Sequence, residues 1–144
     1  MNVSYFLRIF KKKVIAIPIE APSANHCNQL ILEEFSSTGA LIATGFSYDV
    51  ADRAGQAKLV SKLLLEIRDL RRIGAGAADL CLVATGRLDA FYEMGLNEWD
   101  LAAGGLIATE AGALVTGRNG GPAGKEMVIA AGPHLHARLV SEIG

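Results

Sequence analysis

Two carboxylates have the type and spacing best suited to chemistry. Glu93 closes the aromatic run Asp89-Ala90-Phe91-Tyr92, and Asp100 stands three residues after Asn97. A strand ending at the glutamate and a helix opening at Asn97 would leave a short loop between them, able to aim both acids into one cleft. Hard oxygen donors arranged this way are what a divalent cation requires. Asp100 would also lie at the positive end of a helix dipole, which attracts negative charge. The plainer alternative is equally open, because Asn97 and Asp100 have the spacing of a capping pair at a helix start.

A second candidate is the turn Gly74-Ala75-Gly76, which could bring backbone N–H groups to an anionic or polar ligand. It lacks the third glycine of a dinucleotide fingerprint and the Gly-Lys-Ser/Thr ending of a phosphate loop, so on pattern alone it is equally a tight strand-to-helix turn. Lys11, Lys12 and Lys13 form a short basic run better explained as a solvated strand edge. His134 and His136 are two apart, which on a helix turns them away from each other, and His26 stands alone beside Cys27. Cys27 and Cys81 have no paired spacing, so neither a disulfide framework nor a zinc site is written here, and a reducing, cytoplasmic location is expected.

The elements that must position these residues follow from periodicity. Residues 14–19 form a β-branched run interrupted by Pro18, suited to an edge strand, and residues 20–38 carry no clear pattern. Residues 40–44 predict a short buried strand ending at Gly45. Asp49 and Asp52 mark a helix start, and Leu59, Val60, Leu63, Leu64 and Ile67 recur at helical steps, so an amphipathic helix is expected over 52–68. A strand over 70–73 then leads through the glycine turn into an apolar helix that closes at Gly86. A strand over 89–94 precedes the helix from Asn97 to Gly112, in which Ala102, Ala103, Gly104 and Gly105 would let a neighbouring helix approach closely. Strands over 113–116 and 127–131 flank a turn-rich loop, and Pro133 opens a last helix. Alternation of this kind predicts an α/β layered sandwich, a central sheet flanked by helices.

The chain has 144 residues, 51% of them hydrophobic and 20% charged, enough to bury a real core without a metal or disulfide to hold it. A net charge of −1 gives no electrostatic footprint for nucleic acid or an anionic membrane. No apolar stretch reaches the length of a spanning helix, and the order of apolar residues before the lysines reverses that of an export signal. Neither nucleic acid nor membrane is therefore expected as a partner.

The segment from Phe91 to Gly104, with Trp99-Asp100-Leu101-Ala102-Ala103-Gly104 followed by Glu110-Ala111-Gly112, resembles the C-terminal signature of the inositol monophosphatase family. Arg71-Arg72-Ile73-Gly74 with Asp79-Leu80-Cys81 resembles the family segment before that signature, and residues 40–46 with Tyr48-Asp49 resemble an earlier one. The resemblance covers residues 40–144 and leaves 1–39 as a divergent N-terminal segment. It implies a mixed sheet in the C-terminal half of the family's αβαβα fold, and Mg2+-dependent hydrolysis of phosphomonoesters such as myo-inositol monophosphate. Carried over residue by residue, Asp100 matches a metal ligand that also touches substrate, Glu93 matches the holder of inositol hydroxyls, and Gly74, Ala75 and Gly76 match the turn lining the sugar side. Ala75 replaces the commoner hydroxyl residue and Gly76 replaces an alanine, which bears on substrate preference.

The family's front half carries a glutamate and an Asp-Pro-x-Asp-Gly-Thr/Ser segment that hold most of the metal. In this chain no aspartate is followed by Pro or Gly. The expectation is therefore the substrate-binding, C-terminal part of such a phosphatase, inactive alone, acting on a small phosphorylated polyol and forming a homodimer through apolar surface left uncovered. The alternative is a non-catalytic interaction or oligomerisation module built on the same fold.

Overall fold

A computed structural model describes residues 39–144. The expected strand over 14–19, Lys11 to Lys13, His26, Cys27 and all but the last residue of the segment 1–39 lie outside the described residues.

One five-stranded sheet runs β2-β1-β3-β5-β4, built from β1 (Leu41–Thr44), β2 (Asp69–Arg71), β3 (Ala90–Glu93), β4 (Leu114–Thr116) and β5 (Val128–Ala131). Helices α1 (Val50–Leu63), α2 (Gly76–Ala84), α3 (Glu98–Glu110) and α4 (Pro133–Ile143) alternate with the strands. β1 pairs in parallel with both β2 and β3, whereas β5 is antiparallel to β3 and β4. The sheet is thus mixed, as the resemblance implied, and flanked by helices, as the alternation predicted.

Side chains leave a strand on alternate faces, and that period of two divides the core in two. Ala43, Phe91, Val128 and Ala130 face α2 and α3, where they meet Leu80, Val83 and Ala108. Ile42, Ala90, Tyr92, Ile129 and Ala131 face the other way, towards Leu63 of α1 and Leu139 and Ile143 of α4. Cover on both faces explains why β5, Val-Ile-Ala-Ala, is apolar throughout.

The helix ends are written in local chemistry. The Asp49 carboxylate accepts the Ala51 N–H at 2.9 Å and caps α1. Gly86 and Gly112 follow α2 and α3 with φ of 68° and 95°, the left-handed conformation that ends a helix at little cost in glycine. α3 crosses α2 closely at Gly104, where a Cβ would lie 2.9 Å from Leu80 Cβ and 3.0 Å from the Ala77 carbonyl. His136 is buried, and its Nε2 pairs with Thr116 Oγ1 at 2.9 Å, while His134 is exposed. The pair is structural.

The bounds of α1 and β2 depart from expectation for physical reasons. α1 spans 50–63 and not 52–68, because only Leu63 of its long apolar stripe is fully buried, and Leu64 and Leu65 turn into solvent. Ile67, which prolonged the helical spacing, packs on the core from the connection, and Leu70 packs on it from β2. β2 covers 69–71 and not 70–73, since its pairing with β1 ends at Arg71 and Ile73 is exposed. Tyr48, Val50, Leu65 and Trp99 are the most exposed large apolar side chains among the described residues. No helix among these residues is long and apolar enough to cross a membrane.

Candidate functional site

In an open sheet with parallel strands, ligands settle at the carboxyl ends of two neighbours whose outgoing connections leave on opposite faces. β1 and β3 are such a pair: the chain leaves β1 for α1 on one face and leaves β3 for α3 on the other. The residues at that switch point are Thr44-Gly45 on one strand and Glu93 on the other. The amino end of α2, opened by the turn from Gly74 to Gly76, arrives at the same edge from β2.

Glu93 ends β3 with its carboxyl group folded onto Gly45, so closely that a Cβ at position 45 would overlap all three carboxyl atoms. Oε2 is buried and has no hydrogen-bond partner. Burial pushes the Glu93 carboxyl above the usual carboxylate range, the charge of Asp79 pushes it further, Arg72 opposes this, and Asp100 adds to it. Glu93, Asp79, Asp100 and Arg72 therefore share one electrostatic neighbourhood.

Asp100 lies in the first turn of α3, and its Oδ2 accepts the Asn97 backbone N–H at 3.2 Å. The capping role proposed from spacing is thus realised with one oxygen. The other makes no hydrogen bond among the described residues. The structure accordingly brings Glu93 and Asp100 to the same edge. Of the turn, Gly74 and Ala75 are exposed and Gly76 is buried beneath Leu96 and Phe91. Gly74 has φ of 87°, and the Arg72 guanidinium folds back to within 3.2 Å of where its Cβ would be. Ala75 offers no side-chain cap to α2, so that helix presents bare backbone N–H groups.

Asp79 is a site residue that sequence reasoning passed over. It is fully buried, neither carboxyl oxygen has a partner, and burial raises its pKa to about 6. Its signal was present: with Gly76, Leu80 and Val83 it occupies the buried face of an otherwise apolar helix, where a carboxylate is out of place. Gly45 was also passed over, being read only as the end of a strand. Beyond Gly45, on the α1 side, a narrow pocket is lined by Thr44, Phe46, Gln56, Leu59, Tyr92 and Met94.

Magnesium takes near-octahedral oxygen coordination. Among the described residues no group of three or more His, Cys, Asp or Glu side chains is placed to hold a metal ion. Asp100 can offer one oxygen, and these residues do not by themselves fit a complete magnesium site.

The model of the inositol monophosphatase family matches residues 19–144. Inositol-1-monophosphatase from Mycobacterium leprae is 50% identical over 106 residues, covering 72% of this chain and 36% of that protein. The Nus factor SuhB of Vibrio cholerae is 45% identical over 84 residues, or 58% of this chain and 32% of that protein. Among solved structures, Mycobacterium tuberculosis SuhB superposes with a TM-score of 0.66 at 46% identity, covering 75% of this chain and 42% of that one. The chain spans about a third of the length of the curated relatives it matches.

Proposed function

The chain belongs to the inositol monophosphatase family, and on that footing we propose that it is the polyol-recognising, C-terminal part of a Mg2+-dependent phosphatase for myo-inositol monophosphate. Family enzymes of this kind are metal-dependent and act on phosphorylated inositol. The observation that carries the proposal is Glu93: a buried carboxyl oxygen with no partner, held at the switch point of the sheet. A buried acceptor left unpaired costs about 1–3 kcal/mol, and more when charged. Sugar-like hydroxyl groups are donors that would satisfy it. Bare N–H groups at the start of α2 and the free oxygen of Asp100 stand on the same edge.

Two-metal phosphate hydrolysis needs several oxygen ligands per ion to activate water and to stabilise the leaving oxygen. This sequence supplies Asp100 and holds no Asp-Pro-x-Asp-Gly segment, and the proposal assigns the remaining ligands to a front half of the family fold. The proposal includes a cytoplasmic location and a homodimer, and Trp99, Leu106 and Ile107 lying exposed along α3 support the homodimer alone. Phosphate release from myo-inositol 1-phosphate with and without Mg2+ tests it, using the chain alone and mixed with a front half of a family enzyme. No release alone and release in the mixture are expected. Mg2+-dependent release by the chain alone refutes the division of labour.

A second reading, a non-catalytic interaction module, is favoured by the relatives that are named Nus factors and by the same exposed α3 side chains. It predicts no release in either arm, from a chain that folds and holds a partner.

A further inference from the structure

The Glu93 carboxyl group makes neither a hydrogen bond nor an ion pair among the described residues, and its Oε2 is orphaned. A long, flexible carboxylate in that condition should sample several rotamers. It does not spread into the crevice, because its head group rests on the bare Cα of Gly45 across the β1–β3 pair. We propose that Gly45 is a positioning residue for polyol recognition: the missing side chain at 45 is the seat that fixes where Glu93 presents its oxygens. The inference rests on the proposed function and adds to it a determinant outside the turn and signature residues.

Three features of the geometry support this. Gly45 is buried and does not have the left-handed backbone that would itself demand glycine, so its φ does not exclude alanine. The atoms that an alanine Cβ would displace are the mobile end of Glu93 and not backbone. Substitution therefore moves the carboxylate and spares the strand. Finally, Asp79 repels Glu93 from the α2 side and Asp100 repels it from α3, so a carboxylate dislodged from Gly45 finds no neutral place nearby.

The test uses the whole chain and myo-inositol as the probe, with affinity read by saturation-transfer NMR and folding checked by circular dichroism. Losing one hydrogen bond to a charged acceptor corresponds to about ten- to a hundredfold weaker binding, the loss expected of Gly45→Ala. Glu93→Asp shortens the side chain by one methylene and clears the space above residue 45. In that background Gly45→Ala should change affinity by less than about threefold, because the seat is no longer used. Binding by Gly45→Ala equal to the unaltered chain overturns the inference alone. So does an equal loss in both backgrounds, which would mean that residue 45 acts through something other than Glu93. Absence of binding by the unaltered chain instead refutes the polyol function, and the positioning role falls with it.

Discussion

Asp79→Asn should stabilise the fold at neutral pH, although it removes a charge from the candidate site. The carboxyl is fully buried, both oxygens lack partners, and burial raises its pKa from 3.8 to about 6. The native state thus holds this proton more tightly than the unfolded chain does. The stability Asp79 contributes is greatest below the unfolded value of 3.8, falls as pH rises through about 6, and is level beyond. Roughly two pH units of displacement at about 1.4 kcal/mol each set the loss at up to about 3 kcal/mol, a large share of the 5–15 kcal/mol typical of a domain. Asparagine is near-isosteric with the protonated acid and carries no charge at any of these pH values. Urea unfolding of both proteins, from pH 4 to pH 8, should converge towards pH 4, diverge as pH rises to about 6, and keep a constant separation above it. With a slope of about 2 kcal/mol per molar urea, the variant midpoint at pH 8 should be higher by up to about 1.5 M. Removing Asp79 also relieves Glu93, which adds to the gain. A variant less stable than the parent at pH 8 would show that the Asp79 charge has a compensating partner, and would refute the reasoning.

The remaining expectations concern the packing behind the site. His136 titrates with the opposite sign: burial lowers its pKa below 6.5, so its contribution is present above that value and lost as pH falls through the folded pKa. His136→Gln should flatten this acid limb of the thermal midpoint, and a limb that persists unchanged assigns it to other groups. At the α2–α3 crossing, Gly104→Ala gains helix propensity of about 1 kcal/mol but forces overlap with Leu80 and the Ala77 carbonyl, which costs about 1–3 kcal/mol. A net fall in melting temperature of several degrees is expected; a rise would show that α2 moves aside freely.

Much of this arrangement could be read without coordinates, and the misses have physical causes. The β1, β3 and β5 strands were legible because burial on both faces leaves short β-branched, aromatic and alanine runs between glycines, and β4 was legible as a short apolar and β-branched run between Gly112 and Gly117. Asn97 with Asp100, and Pro133, announced their helices through capping chemistry that is local to a few residues. The end of α1 was not legible, since the stripe from Leu59 to Ile67 keeps its helical spacing whether or not the fold covers it, and cover stops at Leu63. Glu93 and Asp100 stood out as acids at element ends. Gly45 could not, because its significance is a contact across two strands separated by α1, β2 and α2, and a sequence shows only that a strand stops there.

The three carboxylates at the switch point explain why this edge should bind something. Consistent sequences satisfy their buried polar groups, and departures from that rule concentrate at functional sites. Here Asp79 and Glu93 are buried without partners, and Glu93 feels the charge of both Asp79 and Asp100 against a single opposing guanidinium, Arg72. Mutual repulsion of this kind raises the energy of the unliganded site. Donors that reach Glu93, or positive charge brought to Asp100, would lower it, so part of the binding free energy is stored in the fold beforehand. The two demands are chemically distinct: Glu93 on its glycine seat calls for hydroxyl donors, whereas the free oxygen of Asp100 calls for a cation whose other ligands must come from elsewhere. Under the proposed function, this edge recognises the polyol, and hydrolysis of its phosphate draws on ligands from elsewhere.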